Sequence, residues 1–295
     1  MGFSVLIIGC GDIGTALGRE LIDEGHDVIG ARRHVKALEG SGIQPLALDL
    51  DHLDDSDAKA LPQADYVIYT VSADRFDESA YQSAYPQGLK RVLSVLERQK
   101  TPPKRVFFVS STSVYGQQDG ETVNEQSPTD PSSFSGVLMC QAEQALINHP
   151  LPGSVVRFSG IYGPGRDRLI RQVAEGRSAA VTPVMYSNRI HRDDCSGVLK
   201  HLMHCDQQGK ALEDIYLGSD CEPATLHDVM TWLAKQLKVE TTETMQSPLR
   251  RRASKRCDNS RLISSGYTFR YPSFREGYQQ VLKEGGFLDA SPSTP

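Results

Sequence analysis

Short apolar runs alternate with amphipathic stretches along about the first 160 residues of the chain. A continuous apolar run of about four to eight residues is typical of a strand buried on both faces of a parallel sheet. The runs predict strands over residues 5–8, 27–30, 45–48, 66–71, 105–110 and 154–158.

Amphipathic stretches between these strands predict helices. In the first stretch, apolar and charged side chains lie on different faces, and Gly25 follows where a helix C-cap belongs. Pro86 should interrupt or kink the longest stretch, because proline cannot donate the helical hydrogen bond. The predicted helices cover residues 13–24, 58–61, 79–99 and 138–148.

This alternation predicts a Rossmann-type α/β fold, with a doubly wound parallel sheet and right-handed crossovers. The alternation loosens in the second half of the chain, where a strand over 215–217 and a helix over 226–237 stand out. We therefore expect a dinucleotide-binding Rossmann domain over 1–164 and a smaller, mixed C-terminal substrate region over 165–288 that is interleaved with it. A flexible tail is expected over 289–295.

The first predicted strand leads into Gly9-Cys-Gly-Asp-Ile-Gly14, which fits the pattern G-x-G-x-x-G. The pattern is specific when it follows a buried strand and opens an amphipathic helix, as it does here. Gly9 permits the tight turn, Gly11 lets a pyrophosphate approach the backbone, and Gly14 allows close helix–sheet packing. The helix start at Asp12 and Ile13 would offer N–H groups to the phosphates. A glycine-rich turn without a ligand is the alternative interpretation.

The residues after the second strand indicate which dinucleotide is bound. NAD enzymes place Asp or Glu about 20 residues after the turn, where it accepts a hydrogen bond from the ribose 2′-hydroxyl. This chain has Arg32 and Arg33 there, with no carboxylate between Val28 and Leu38. Two guanidiniums suit a 2′-phosphate, so we predict NADP(H) in preference to NAD. A solvated basic loop is the alternative.

Composition narrows the class of protein. The 295 residues are 39% hydrophobic and 23% charged, as in ordinary soluble proteins. A net charge of -5 argues against a nucleic-acid binder, and no run approaches the roughly 20 apolar residues that a membrane span needs. The N-terminus resembles no signal peptide, and the six cysteines form no C-x-x-C pair. We expect a cytoplasmic protein that binds a small-molecule substrate and no metal.

Two further clusters of polar residues have ordinary interpretations. His201, His204 and Cys205 fit one turn of an amphipathic helix better than a zinc site, which would need more ligands nearby. The basic stretch 250–256 could bind a phosphorylated substrate, because arginine forks match phosphate. A solvated loop or helix-capping segment is the preferred interpretation.

The segment Val109-Ser-Ser-Thr-Ser-Val-Tyr-Gly116 closes the fifth predicted strand. Together with the glycine turn, it resembles the extended short-chain dehydrogenase/reductase superfamily, in its NAD-dependent epimerase/dehydratase group. Residues 157–166 and 189–194 agree with this resemblance, as do Gly136 and Ala142-Glu143. The closing segment 266–277 is similar to the C-terminal signature of an atypical subgroup.

The resemblance implies roles for individual residues. Ser111 matches the family's catalytic Ser/Thr, which hydrogen-bonds the reacting oxygen of the substrate. His191 falls in the segment that leads into the substrate region. The residues that match positions along the cofactor are Asp49, Leu50, Thr70, Val71, Ser72 and Ser110.

The chain departs from the family in its acid/base pair. Family members use Tyr-x-x-x-Lys on one helix face, where the lysine lowers the tyrosine pKa. Matching Gly136 and Ala142-Glu143 to the family pattern puts Ser135 and Met139 at these positions, or Phe134 and Leu138 in the register one residue earlier. No lysine in the chain has a tyrosine four residues before it. The remaining candidates by residue type are Tyr115, Tyr162 and His191, with a structural role as the alternative for each.

Two functions therefore stay open. The first is an NADP(H)-dependent reductase, epimerase or dehydratase acting on a small polar or sugar-like substrate. The second is a catalytically inactive NADP(H)-binding sensor or scaffold. The resemblance is compatible with a homodimer.

Overall fold

The computed structural model describes residues 2–245 and 254–288. The chain forms two compact units, each built from several segments. The first unit contains the residues up to Tyr115, Thr129–Arg157 and Cys195–Tyr216, and the second contains Gly116–Pro128, Phe158–Asp194 and the residues from Leu217 onward. The expected tail over 289–295 lies outside the described residues, and the expected boundary at 164 stays a prediction.

The described strands and helices follow in chain order. The strands are β1 Ser4–Ile8, β2 Asp27–Arg32, β3 Gln44–Ala47, β4 Tyr66–Tyr69, β5 Arg105–Ser111, β6 Thr122–Val123, β7 Gly153–Phe158, β8 Gly160–Tyr162, β9 Arg177–Ala179, β10 Arg189–His191, β11 Ile215–Gly218, β12 Glu243–Met245 and β13 Arg256–Cys257. The helices are α1 Asp12–Asp23, α2 Glu78–Gln82, α3 Gly88–Glu97, α4 Phe134–Ile147, α5 Arg168–Ala174, α6 Arg192–Gln207, α7 Leu226–Leu237, α8 Ser260–Ser264 and α9 Phe274–Glu284.

Seven strands form one parallel sheet in the order β11-β7-β5-β4-β1-β2-β3. The chain runs outward from β1 through β2 to β3, then continues with β4 on the other side of β1. The direction of winding thus reverses between β1 and β4, and Ile8 pairs with Tyr69 at the carboxyl ends of these strands. Open α/β sheets bind ligands at such a switch point. The predicted Rossmann-type fold is confirmed.

The apolar runs are buried as predicted. Val5, Leu6, Ile7 and Ile8 of β1 are at most 1% exposed. Helix α1 begins and ends within one residue of its predicted bounds, and Gly25 after it adopts a φ of 83°. A glycine reaches this left-handed conformation without steric cost, which is why it ends the helix here.

The long amphipathic stretch is interrupted at Pro86. It forms α2, a π-helical turn over Ser83–Gln87 and then α3, with Pro86 inside the turn. Because proline lacks an N–H, it cannot complete the α-helical ladder, and the wider turn accommodates it. The predicted interruption is confirmed.

The prediction of a helix over residues 58–61 is wrong. Residues 54–61 contain turns and bends but no helical residue. The Asp54 carboxylate accepts hydrogen bonds from Ser56 N and Oγ (3.0 and 2.6 Å), and Asp57 accepts one from Lys59 N (2.8 Å). These side chains satisfy the backbone locally and so compete with a helix.

The second unit has its own core. Strand β8 pairs with β10, β9 with β12 and β6 with β13, all in parallel. Lys255, in the described part of the basic stretch, is buried next to β13, and residues 250–253 lie outside the described residues. Side chains of α5, α7 and α9 form this core, including Ile170, Val173, Val229, Leu233, Phe274 and Val281.

The first unit contains a buried ion pair between α4 and β7. Arg157 donates to Glu143 through Nε (2.9 Å) and Nη2 (2.6 Å), and the two side chains are 4% and 2% exposed. Burial alone would lower the pKa of Arg157, but the hydrogen bonds and charge of Glu143 outweigh burial and raise it. The Arg157 guanidinium therefore stays charged inside this unit, paired with Glu143.

Among the described residues, no helix combines the length and the apolar character that crossing a membrane requires.

Removing Glu143 should destabilise the protein strongly. Glu143→Ala leaves the Arg157 charge buried without its carboxylate, which typically costs about 3–5 kcal/mol. The neighbouring exposed residue on α4 gives a matched control, because Gln144→Ala removes only surface contacts and should cost under about 0.5 kcal/mol. Urea unfolding followed by circular dichroism measures both variants. Equal stability for the two would contradict a structural role for the pair.

Candidate functional site

The glycine turn joins β1 to α1 at the carboxyl edge of the sheet. The N–H groups of Gly9 and Cys10 donate to Ala31 O at 2.9 and 3.0 Å, which ties the turn to β2. Gly9 has a φ of 79°, and a Cβ at this position would lie 2.5 Å from Val71 N. Only glycine fits this position, because both the conformation and the close approach of the segment after β4 exclude a side chain.

The other two glycines of the motif differ in what surrounds them. A Cβ on Gly14 would lie 2.8 Å from Ile7 Cγ2 and 3.4 Å from Thr70 Oγ1, so this glycine permits close packing of α1 on the sheet. A Cβ on Gly11 would meet nothing closer than Gly9 O at 3.7 Å. Within the described part of the chain, no side chain caps the N-terminus of α1 at Gly11. The turn therefore has room and backbone donors on the side where a pyrophosphate would bind.

The segment after β4 contacts the turn directly. Thr70 Oγ1 donates to Gly9 O (2.9 Å) and Ile8 O (3.2 Å), and Thr70 N donates to Ile8 O (2.8 Å). Val71 provides the backbone against which Gly9 packs, and Ser72 follows with an exposed side chain. The structure thus brings Thr70 and Val71 to the glycine turn.

The two arginines predicted to select the cofactor lie at the carboxyl end of β2 but make different contacts. Arg32 is the last residue of β2, and its Nη1 donates to Cys10 O in the glycine turn (3.1 Å). Arg33 forms a bidentate ion pair with Asp74, with Nη1–Oδ2 and Nη2–Oδ1 distances of 2.7 and 2.6 Å. The hydrogen bonds from Arg33 lower the pKa of Asp74. Asp74 was not foreseen, because 41 residues separate it from Arg33 and no local pattern connects them.

Asp49 and Leu50 follow β3 at the same edge of the sheet. Asp49 accepts a hydrogen bond from Asp51 N (3.2 Å), and this backbone donor lowers its pKa. The carbonyl oxygen of Leu50 accepts from Arg91 Nη1 (2.8 Å). Leu50 begins the short 3₁₀ turn Leu50–His52 that follows the strand, and Asp49 caps it.

Ser111 is the last residue of β5, and its side chain is partly exposed. Its Oγ accepts a hydrogen bond from Ser113 N (3.2 Å), so it begins the short 3₁₀ turn that follows. A Cβ on Gly136 would lie 2.6 Å from Ser113 O, which places the first turn of α4 against the turn after Ser111. Ser110, by contrast, is buried and donates to Glu143 Oε1 (2.5 Å).

Tyr115 is part of the buried network around the Glu143–Arg157 pair. Its side chain is 2% exposed. The hydroxyl accepts from Arg157 Nη1 (3.0 Å), and the guanidinium carbon lies 5.0 Å from the ring centroid. These contacts fix the end of the 3₁₀ turn that begins at Ser111, because Tyr115 N also donates to Thr112 O (3.3 Å).

Helix α4, where the resemblance places the family's Tyr-x-x-x-Lys pair, carries neither tyrosine nor lysine. Ser135 and Met139, at the matching positions, are 7% and 4% exposed. In the register one residue earlier, Leu138 is buried and Phe134 packs on two aromatic rings, with centroids 5.1 Å from Phe76 and 5.4 Å from Tyr81. Neither register provides an acid/base group.

His191 and Tyr162 lie together in the second unit, since they pair between β10 and β8. His191 is completely buried, and its Nδ1 accepts from Asp193 N while Nε2 lies 3.2 Å from Gln280 Oε1. Burial lowers the pKa of His191, so the neutral ring with its proton on Nε2 satisfies both contacts. Tyr162 packs between His191 and Tyr278, and burial raises its pKa.

His204 belongs to α6, as its helical spacing predicts, and lies beside Glu24 and His26. Ligand atoms of these three residues lie within 4.8 Å of one another. However, His26 Nδ1 accepts from Phe3 N (3.2 Å), which keeps the proton on Nε2, and Lys200 Nζ holds Glu24 at 2.7 Å. A bound cation would have to displace the proton on His26 Nε2 and the Lys200 ammonium from Glu24, so these contacts oppose metal binding.

This chain is similar to known proteins over most of its length. The sequence model of the NAD dependent epimerase/dehydratase family matches residues 5–194. A Methylobacillus flagellatus protein described as an NAD-dependent epimerase/dehydratase is 34% identical, with 97% of this chain and 100% of that chain covered and a TM-score of 0.80. No curated protein sequence matches this chain.

Two more distant structures share the fold. Human epimerase family protein SDR39U1 (isoform 2), solved with NADPH, is 19% identical, with 95% of this chain and 99% of that chain covered and a TM-score of 0.76. The UDP-glucuronic acid 4-epimerase of Bacillus cereus, solved with NAD, is 21% identical, with 95% and 99% covered and a TM-score of 0.77. From the family match over more than half of its length, the chain belongs to the NAD dependent epimerase/dehydratase family.

Proposed function

We propose that this chain is an NADP(H)-dependent oxidoreductase or epimerase/dehydratase that acts on a small polar or sugar-like substrate. The observation that carries the proposal is the pair of guanidiniums at the end of β2, next to a glycine turn with room for a pyrophosphate. Sugar-nucleotide chemistry in one relative and NADPH in another support the class of substrate and cofactor.

The residues present fit a dinucleotide. The open face of Gly11 and the uncapped start of α1, within the described residues, suit the pyrophosphate. Arg33 suits a 2′-phosphate, because a guanidinium can donate two parallel hydrogen bonds to it. Thr70, Val71 and Ser72 would line the nicotinamide side. When bound, the nicotinamide would supply hydride transfer.

Ser111 is the residue that we assign to the substrate. Its hydroxyl, at the carboxyl end of β5, would hydrogen-bond the oxygen at the reacting carbon. Tyr115 and Arg157 would hold the Ser111 turn in place from the interior, which makes Tyr115 a positioning residue. His191 is another candidate proton donor by residue type, although its contacts favour a neutral structural ring.

A sensor or scaffold is the second candidate function. The observation that favours it is the absence of tyrosine and lysine from α4, where the resemblance matches the buried Ser135 and Met139 to the family's acid/base positions. A protein of this kind would bind NADP(H) and pass its redox state to a partner without turnover.

We also propose a cytoplasmic location. All six cysteines are free, in agreement with a reducing compartment. The partners that we propose are the small-molecule substrate and a second copy of the chain.

Replacing Arg32 and Arg33 one at a time should distinguish contact with the 2′-phosphate from stabilisation of the glycine turn. Arg33→Ala should weaken NADPH binding about tenfold or more, since a hydrogen-bonded charge contributes about 1.5–3 kcal/mol, and should leave NADH binding unchanged. Arg32→Ala should weaken both, because Arg32 also holds Cys10 O. Fluorescence titration measures the dissociation constants.

The surface residue Arg98 gives the matched control, since it is an exposed arginine at the end of α3. Arg98→Ala should change neither dissociation constant. Equal losses of NADPH and NADH binding in Arg33→Ala would refute the 2′-phosphate contact.

Replacing Ser111 tests catalysis. Ser111→Ala should lower kcat with NADPH over a panel of carbonyl and nucleotide-sugar substrates by about 10²-fold, since donors to a reacting oxygen are worth roughly that much. The dissociation constant of NADPH should not change, and Ser113→Ala, two residues on, should keep full activity. Tight NADPH binding without turnover in the unmodified protein would favour the sensor.

A further inference from the structure

We propose that Asp74 competes with a 2′-phosphate for Arg33 and thereby sets how strongly this chain prefers NADP(H) over NAD(H). The inference rests on the proposed NADP(H) function, because it assumes that Arg33 binds the phosphate. It assigns to Asp74 an opposing role: the carboxylate limits the preference that the arginine creates.

The geometry of the ion pair carries the inference. The two terminal nitrogens of Arg33 each donate to a different oxygen of Asp74, at 2.7 and 2.6 Å. Guanidiniums use the same parallel, two-bond arrangement for phosphate. A phosphate therefore cannot use this edge of Arg33 while Asp74 holds it, and the two anions exclude each other.

The Arg33–Asp74 ion pair is weak enough for a phosphate to replace Asp74. The side chains of Arg33 and Asp74 are 51% and 61% exposed. An exposed ion pair changes an equilibrium constant by no more than about fivefold, because water and salt screen it. A dianionic phosphate is a stronger partner than a carboxylate, so it can displace Asp74, but its binding is weakened by that competition.

The chain keeps Asp74 close to Arg33. Asp74 lies between β4 and α2, and three residues later Asp77 caps α2 by accepting from Ala80 N (2.9 Å). Between them, the ring of Phe76 contacts the ring of Phe134 at a centroid distance of 5.1 Å. These contacts fix the segment on the C-terminal side of Asp74, so Asp74 stays close enough to pair with Arg33 again when a phosphate leaves.

Two further carboxylates near Arg33, those of Asp49 and Asp51, carry the same charge as Asp74. Asp49 and Asp51 act on Arg33 after the larger effect of Asp74, whereas Arg75 and His34 act on Asp74. Asp74 is thus the strongest of the negative charges that a 2′-phosphate bound to Arg33 would meet. Removing one of these carboxylates should favour the phosphate through both lower repulsion and lost competition.

The test compares nucleotides that differ only in the 2′-phosphate. Asp74→Asn should tighten the binding of 2′,5′-ADP and NADPH about threefold to tenfold and leave 5′-AMP and NADH within twofold, as measured by calorimetry. Asp55→Asn removes the same charge from the exposed loop after β3 and should change nothing. In Arg33→Ala/Asp74→Asn, the gain should disappear, because the arginine that it frees is absent.

The outcomes separate this inference from the function on which it rests. If Arg33→Ala selectively weakens NADPH but Asp74→Asn behaves like the unmodified protein, the competition is refuted and the proposed cofactor stands. If Arg33→Ala causes no selective loss, the NADP(H) assignment itself fails. Weaker binding of all four nucleotides in Asp74→Asn, or an equal gain for all four, would also overturn the role of Asp74.

Discussion

The close approach of three backbone segments at Gly9 is the constraint on which the rest of the first unit depends. The turn donates to Ala31 of β2, accepts from Thr70 after β4, and lies so near Val71 that no side chain fits on Gly9. These contacts hold the carboxyl ends of three neighbouring strands together at the reversal of the sheet. Except for Ser110 in β5, every residue that we assign to the dinucleotide ends or follows one of these strands or the adjacent β3, or lies on the turn itself.

A second constraint operates inside the unit. The Glu143–Arg157 pair receives Ser110 on one side and Tyr115 on the other. Ser111 lies between these two residues in sequence and, unlike both of them, is partly exposed. A charged pair in the interior thus fixes the position of a polar group at the edge of the sheet, and this coupling explains why neighbouring serines have different surroundings.

Much of this arrangement could be predicted from the sequence because it depends on local patterns. Buried apolar runs gave the strands, the glycine spacing gave the turn, and Pro86 marked the interruption between α2 and α3. The pairing of Arg33 with Asp74 could not be predicted, since it joins two loops 41 residues apart. The helix expected over 58–61 failed for another reason: aspartate side chains bond their own backbone, an effect that hydrophobic periodicity does not register.

The central claim is that this chain binds a 2′-phosphorylated dinucleotide at the glycine turn. Titration of the unmodified protein with NADPH and NADH at rising salt concentration tests it most directly. The account predicts that NADPH binds more tightly than NADH, and that the difference narrows as salt screens the phosphate from the guanidiniums. Binding of NADH as tight as or tighter than that of NADPH at low salt would contradict it.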